Sequence, residues 1–424
     1  MSNSQNLLQQ LQENYELLQT KISYLQREKI INADPSRGFQ LEQEIKKLQL
    51  QLKEIEQQLE KLEKASATAN QTEVTRENSD FVSTPCISIP LTHILHLSDL
   101  HFGRVDDSYN WYDQIAQDLY SELNCEKLDG LILSGDIANK STPQEYEAAK
   151  EFLNNLCQEF QVSSEKIVIV PGNHDLNWGL GEAAYTLVRR KDYTEPLDEN
   201  HIIDKGEYIE VVDQEQYKQR FAHFSQFYQD IKGEAYPLEY DQQATLHHFP
   251  EQNLLILGLN SAWQLDHHYR SRAGIHPRAL TNALTQIRRN QDYKNCVKIA
   301  VWHHPLNSAF EDRIKDTGFM ERLAQAGFRF ALHGHIHKAE NSLYSYDVTT
   351  GGRKLNIICA GTFGAPIREW FSGYPLQYNF LKLEGHKLTV NTRRREELNG
   401  AWKPDARWLM GAGRNPLPYY QMEL

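Results

Sequence analysis

Five short polar motifs, each closing a run of aliphatic and β-branched residues, constrain this chain more than any other feature. Asp99-Leu100-His101 closes LTHILHLS, Gly135-Asp136 closes DGLILS, and Gly172-Asn173-His174-Asp175 closes KIVIVP. His303-His304 closes CVKIAVW, and Gly334-His335-Ile336-His337 closes FRFALH. NLLILGLN and LNIICAGT are further runs of the same kind. Near-continuous apolar strands indicate sheets covered on both faces, and their alternation with helical patterns predicts an α/β layered domain. Loops at the C-terminal ends of such strands form the crevice of an open α/β architecture, so the motifs should meet in one site.

In the D-x-H and H-x-H pairs, alternate residues at a strand end share one face, so both side chains can address the same ion. Mixed carboxylate, imidazole and amide donors suit Mn²⁺, Fe²⁺ or Zn²⁺ better than Ca²⁺. Taken alone, Asp99-x-His101 reads as a surface turn and Gly135-Asp136 as an ordinary strand end. All five in this order, each after an apolar strand, read differently, because buried charges without partners are costly.

The set resembles the signature of the calcineurin-like metallophosphoesterases, D-x-H, G-D, G-N-H-D/E, H and G-H-x-H, over most of residues 93–362. The resemblance implies a layered β-sandwich flanked by helices and a two-metal phosphoesterase that cleaves phosphodiester bonds with a metal-activated water. It implies two divalent ions, Mn²⁺ first with Fe²⁺ or Zn²⁺ as alternatives. Asp99, His101 and His337 fall on the ligands of one ion, Asn173, His303 and His335 on those of the other, and Asp136 on the bridging position. His174 falls on the catalytic histidine that assists the leaving group, and His304 stands beside a ligand, behind it or facing substrate. Ser/Thr protein phosphatases carry an arginine before G-N-H-E and D-R-G at the second motif; here Pro171 and Ile137-Ala138-Asn139 stand there. The wording is closer to the prokaryotic phosphodiesterase and nuclease branches.

Ahead of these motifs, apolar residues recur in heptad rhythm at Leu8, Leu11, Tyr15, Leu18, Ile22 and Leu25, then from Leu41 to Leu62, around the turn Asn32-Ala33-Asp34-Pro35-Ser36. Residues 1–64 are therefore expected to form a helical coiled-coil hairpin, either docked on the same chain or used for oligomerisation. The segment resembles adaptor segments of bacterial conflict-system effectors, which implies an effector-system partner. A polar linker is expected over 65–85, a catalytic domain over 86–395 with an insertion at about 176–250, and an aromatic tail over 396–424 that docks on the domain.

Within the insertion, helical patterns are expected at Ala183–Lys191 and Gln214–Ile231. Trp178 is a candidate for base stacking, and Arg270 or Arg272 for phosphate. His247-His248 is expected to pack rather than bind metal. Arg393-Arg394-Arg395 reads either as a solvated run or as a contact to a nucleic-acid backbone.

The net charge of −12 argues against a broadly basic surface without excluding a local groove. Five scattered cysteines, with no C-x-x-C pair, read as reduced residues. No run approaches the roughly 18 apolar residues of a membrane helix, so no membrane partner and a cytoplasmic location are expected. The reading that joins these features is a homo-oligomeric phosphodiesterase acting on nucleic acid or a nucleotide, in the setting of prokaryotic defence. The alternatives are a cyclic-nucleotide phosphodiesterase and a catalytically silent coiled-coil scaffold.

Overall fold

The computed structural model describes residues 46–48, 50–51, 89–103, 105–196, 202–308, 312–345, 354–364, 374–397, 399–409 and 416–423. Apart from helical residues 46–48 and 50–51, the expected coiled coil and linker lie outside the described residues. The chain divides into two units, Met1–Thr84 and Pro85–Leu424, and the second carries the architecture below.

Strands β1 (Ile89–Leu97), β2 (Gly130–Leu133) and β3 (Ile167–Ile169) run parallel, in the register Ile94↔Gly130 and Leu131↔Ile167. Three further strands, β4 (Tyr185–Arg189), β5 (Ile202–Lys205) and β6 (Tyr208–Val212), form a sheet of their own. Strands β7 (Ala244–Phe249), β8 (Leu254–Leu259), β9 (Val297–Val301), β10 (Phe328–His333), β11 (Ala339–Ser345) and β12 (Lys354–Ala360) make a six-stranded sheet, ordered β11-β12-β10-β9-β8-β7. Strand β13 (Leu376–Gly385) adds antiparallel to β1, β14 (Lys387–Arg395) adds antiparallel to β13, and the segments Lys403–Pro404 and Tyr419–Glu423 pair with β14 to complete a seven-stranded sheet.

Period-two alternation sorts the strand side chains into layers. Ile94, Ile132 and Val168 of one sheet meet Ile256, Ile299, Val301 and Leu332 of the other in a core between the sheets. The alternate residues Leu95, Leu131 and Ile169 face helices α1 (Val105–Ser121), α2 (Pro143–Glu159) and α3 (Ala222–Lys232). Leu255, Leu257 and Ala300 face α4 (Pro277–Arg289) and α5 (Gly318–Gln325). The order is helix, sheet, sheet, helix, a mixed α/β sandwich in which each apolar run is covered on both faces. Helix α2 starts sharply because Thr142 and Glu145 form a reciprocal capping box with Pro143 at the first helical position.

Two expectations are corrected. Residues expected to be helical at Ala183–Lys191 form β4 (Tyr185–Arg189), paired from Tyr185↔Val212 to Arg189↔Tyr208 with β6 (Tyr208–Val212), on which β5 (Ile202–Lys205) also lies. Tyr185, Thr186 and Val188 favour a strand once a partner strand is supplied from further along the chain. Short helices at Trp178–Ala183 and Gln214–Lys218, together with α3, make the helical part of the insertion.

Two arginines of the triplet, Arg393 and Arg395, are core residues, neither solvated nor open to a phosphate backbone. Arg393 is buried, its Nε donates to Asp118 Oδ2 at 2.7 Å, its Nη2 pairs with Oδ1, and the Tyr378 hydroxyl donates to the same carboxylate. Arg395 is fully buried with its guanidinium 4.4 Å from the Trp402 ring centroid. Arg394, between them, faces outward to Glu396 and Asp405 at 3.6 and 3.9 Å. Strand alternation turns the first and third arginines inward, where Asp118 and Trp402 wait. Of the expected aromatic tail, Trp402 stacks on Phe363 with ring centroids 5.3 Å apart and Tyr420 packs in the core between the sheets. Cys125, Cys157, Cys296 and Cys359 are free thiols. Among the described residues, no helix is long and apolar enough to cross a membrane.

Removing one partner of a buried ion pair strands the other charge, so Asp118→Ala should destabilise the domain by about 3 to 5 kcal/mol, read from the urea midpoint. An unshifted midpoint would show that Arg393 does not depend on Asp118.

Candidate metal centre

Each motif emerges where a parallel strand ends, and the backbone reverses there to turn side chains inward. Asp99, His101, Asp136, His335 and His337 have φ of 52°, 49°, 53°, 70° and 51°, the left-handed region that non-glycine residues rarely enter. Aspartate, asparagine and histidine tolerate that region better than most residues, and strain of this kind concentrates at functional sites. Hydrogen bonds between loops hold the turns: Asp99 N to Gly135 O, His101 N to Asp136 O and Gly364 N to Asp99 O, each 3.0 Å. Gly334 is needed because an added Cβ would collide with Ser98 Oγ and Asp99 Oδ2, and Gly172 because it would collide with Asp136 Oδ1.

These turns bring the predicted residues together. Donor atoms of Asp99, His101 and His337 lie within 4.8 Å of one another, as do those of Asp99, Asp136 and His303, of His101, Asp136 and His174, and of His303, His304 and His335. Asp136 belongs to two of these groups and joins the halves of the site. Each carboxylate has one oxygen anchored and the other turned to the rings. Asp99 Oδ2 accepts from His335 N at 2.9 Å while Oδ1 lies 3.2 Å from His337 Nε2. Asp136 Oδ1 accepts from His174 N at 2.7 Å while Oδ2 lies 3.1 Å from His303 Nε2.

The histidines are set by what their other nitrogen touches. His303 Nδ1 donates to the Ser134 carbonyl at 2.7 Å, which leaves Nε2 as its lone-pair nitrogen. His335 Nε2 lies 2.8 Å from Asp312 Oδ2, which fixes the proton there and turns Nδ1 toward His303 Nε2 at 3.2 Å. Two ring nitrogens facing each other at that distance hold a proton or a metal ion between them. His174 Nδ1 donates to the Asn139 carbonyl at 2.7 Å, and its ring meets His101 edge-on at 4.7 Å.

The donor set fits a divalent metal. His101 Nδ1 and Nε2 and Asn173 Oδ1 are buried without a hydrogen bond, an arrangement that costs about 1 to 3 kcal/mol per group if nothing binds there. Burial pushes His101 down to about 3 against the pull of Asp136, so its ring is a neutral donor. Burial works against charge on Asp99 and Asp136 too, but His337 and His303 beside the first, and His303 and His174 beside the second, hold both well below the usual carboxylate range. Burial likewise opposes a charged His303, yet Asp136 outweighs it and pushes the ring up to about 9. A metal must therefore compete with a proton for His303.

Of the remaining sequence candidates, His304 is grouped with His303 and His335, while Arg270, Arg272 and Trp178 make contacts of their own. His304 is buried, its Nδ1 2.8 Å from Ser261 Oγ. The Arg270 guanidinium lies 5.6 Å from the Trp178 ring centroid, and that of Arg272 3.3 Å from the Tyr269 ring. Three contributors carried no assignment in the sequence. Asp175, the last residue of G-N-H-D, accepts from Ile137 N, Ala138 N and Gly172 N at 3.1, 3.1 and 2.9 Å and pins two ligand turns together. Burial and the nearby Asp136 push it up to about 6. Asp312 sits in a loop with no motif to mark it. Asp266, buried, accepts from Tyr185 and Tyr217 hydroxyls at 2.7 and 2.6 Å and ties the insertion to the Arg270 loop.

The chain belongs to the calcineurin-like phosphoesterase family, whose model matches residues 92–339. It is 28% identical over 315 residues to YydB of Bacillus subtilis (strain 168), an uncharacterized metallophosphoesterase-like protein, a match that covers 70% of this chain and 56% of YydB. It is 34% identical over 87 residues to the glycerophosphodiester phosphodiesterase GpdQ of Enterobacter lignolyticus (strain SCF1), covering 19% of this chain and 29% of GpdQ. The chain thus spans about half the length of the first curated relative and under a third of the second. The solved structure of PhoD covers 76% of this chain and 69% of its own at 14% identity, with a TM-score of 0.43.

Second-sphere carboxylates that orient a metal-binding histidine typically contribute 10- to 100-fold in metal affinity. Asp312→Asn should weaken metal binding by about that factor in competition with a chromogenic chelator, and Asp312→Glu should recover part of it. Equal affinity in all three proteins would remove Asp312 from the centre.

Proposed function

We propose that this protein is a two-metal phosphodiesterase acting on nucleic acid or a nucleotide. The observation that carries the reading is the convergence of the Asp99, His101 and His337 donor atoms and of the Asp99, Asp136 and His303 donor atoms, each set within 4.8 Å. In this reading Asp99, His101 and His337 hold one ion, Asn173, His303 and His335 the other, and Asp136 both, with Mn²⁺ the preferred metal. The ions would supply a nucleophilic water at neutral pH and positive charge for the phosphoryl oxygens.

The chain's own residues do the rest. Asn173 contributes a neutral oxygen, so the centre keeps more positive charge for an anionic substrate than a third carboxylate would leave. His174, with Nδ1 fixed by Asn139, presents Nε2 as the nitrogen that gives a proton or hydrogen bond to the leaving oxygen. The Arg270–Trp178 pair offers a cation beside an aromatic face on the segment that follows the His174 loop, a combination suited to a nucleotide with its base and phosphate. The phosphodiesterase named in the match to GpdQ favours a diester over a monoester. A cyclic nucleotide is the second reading, since a base and a diester phosphate would use the same groups.

The metal-loaded protein should hydrolyse bis-p-nitrophenyl phosphate faster than p-nitrophenyl phosphate and should cleave DNA or RNA. His174→Ala should lower kcat by about 10²- to 10⁴-fold while the metals stay bound. Cleavage of cyclic AMP with DNA and RNA left intact would replace the first reading by the second, and preference for the monoester would overturn both.

Residues 1–64 are proposed to assemble the protein into a homo-oligomer and to place its activity beside an effector-system partner. Deleting them should lower the mass measured by light scattering while the metals remain bound; an unchanged mass would defeat the assembly proposal.

A further inference from the structure

A cleft of about 700 Å³ opens between α4 and α5, beside the first residues of β9. Strand β9 leads from Lys298 at this end to His303 at the metal centre, a span of roughly 15 Å at about 3.3 Å per residue. The cleft is therefore separate from the centre.

Its charged lining is one-sided. Arg288, Lys294, Lys298 and Arg322 all face it and, among the described residues, no carboxylate does, in a chain whose acidic residues outnumber its basic ones by 57 to 45. Exposed arginines at the end of α4 would alone be explained by the helix dipole. Lys298 is not explained that way. It is only 7% exposed, its Nζ meets carbonyl oxygens of Lys294 and Cys296 at 3.4 and 3.2 Å, and among the described residues it makes no ion pair. A buried ammonium with no opposite charge is expensive, and an anion in the cleft would supply that charge. Arg322 is positioned for the same task, because its Nη2 donates to Thr281 Oγ1 across the two helices at 2.9 Å and steadies the guanidinium over the opening. The volume is in the usual range for small-molecule sites and exceeds what a bare phosphate fills. Tyr293 on the rim offers an aromatic face.

We propose that this cleft binds a phosphate-bearing anion of nucleotide size, held by Lys298, Arg322 and Arg288, as a second anion site distinct from the metal centre. Phosphate is the group that matches both a point charge from lysine and the planar fork of arginine.

The test is calorimetric titration of the full-length, metal-loaded protein with inorganic pyrophosphate and, separately, with adenosine monophosphate. Two classes of site are expected. Arg322→Gln and Lys298→Met should each weaken one class by about tenfold or more, and Asp136→Asn should remove only the other. Arg322 is partly exposed, so its variant remains informative if the buried Lys298→Met fails to fold. Tighter binding of the nucleotide at the cleft would assign the ligand as a nucleotide, and equal binding as phosphate alone; both support the site. A single class lost in Asp136→Asn, or a second class untouched by both cleft variants, overturns it.

Discussion

The catalytic unit depends on the way two buried carboxylates, Asp99 and Asp136, are kept ionised among histidines. Neither could carry charge in an apolar interior alone. Each has one oxygen tied to a backbone N–H of another motif, so the motifs support one another: Asp99 by His335 N and Asp136 by His174 N. The sandwich exists around this arrangement. Two sheets bring the ends of β1, β2 and β3 against those of β9 and β10, and the core between them fixes that meeting.

Much of this was legible in the sequence because it is local. The runs that precede Asp99, Asp136, Asn173, His303 and His335 announce buried strands by composition alone, and the polar residues after them fall at strand ends in the structure. Other parts depend on partners far along the chain. Arg393 became a core residue through Asp118, 275 positions earlier, and no local pattern distinguishes it from an arginine on the surface. β4 resembled a helix until β6 was supplied as its neighbour. Asp312 acts through a single hydrogen bond to His335 and leaves no periodic trace, whereas Asp175 stood in plain sight within its motif yet reveals its work only when three backbone N–H groups are seen to converge on it.

One buried carboxylate joins segments that lie far apart in the chain. Asp266 takes hydrogen bonds from Tyr185 and Tyr217 on the insertion and from His268 N and Tyr269 N of its own loop, both at 2.8 Å. One buried acid therefore couples two surface segments.

The left-handed turns at five candidate ligand residues restrict how this centre could be remodelled. An engineer who wished to retune it for a softer metal would look to cysteine, or to glutamate for longer reach. At Asp99, His101, Asp136, His335 and His337 the backbone sets a prior condition, since a new donor must first tolerate positive φ. Asparagine, aspartate and histidine meet that condition with least strain. Asn173 and His303 have ordinary backbones and so are the positions where the donor alphabet is open.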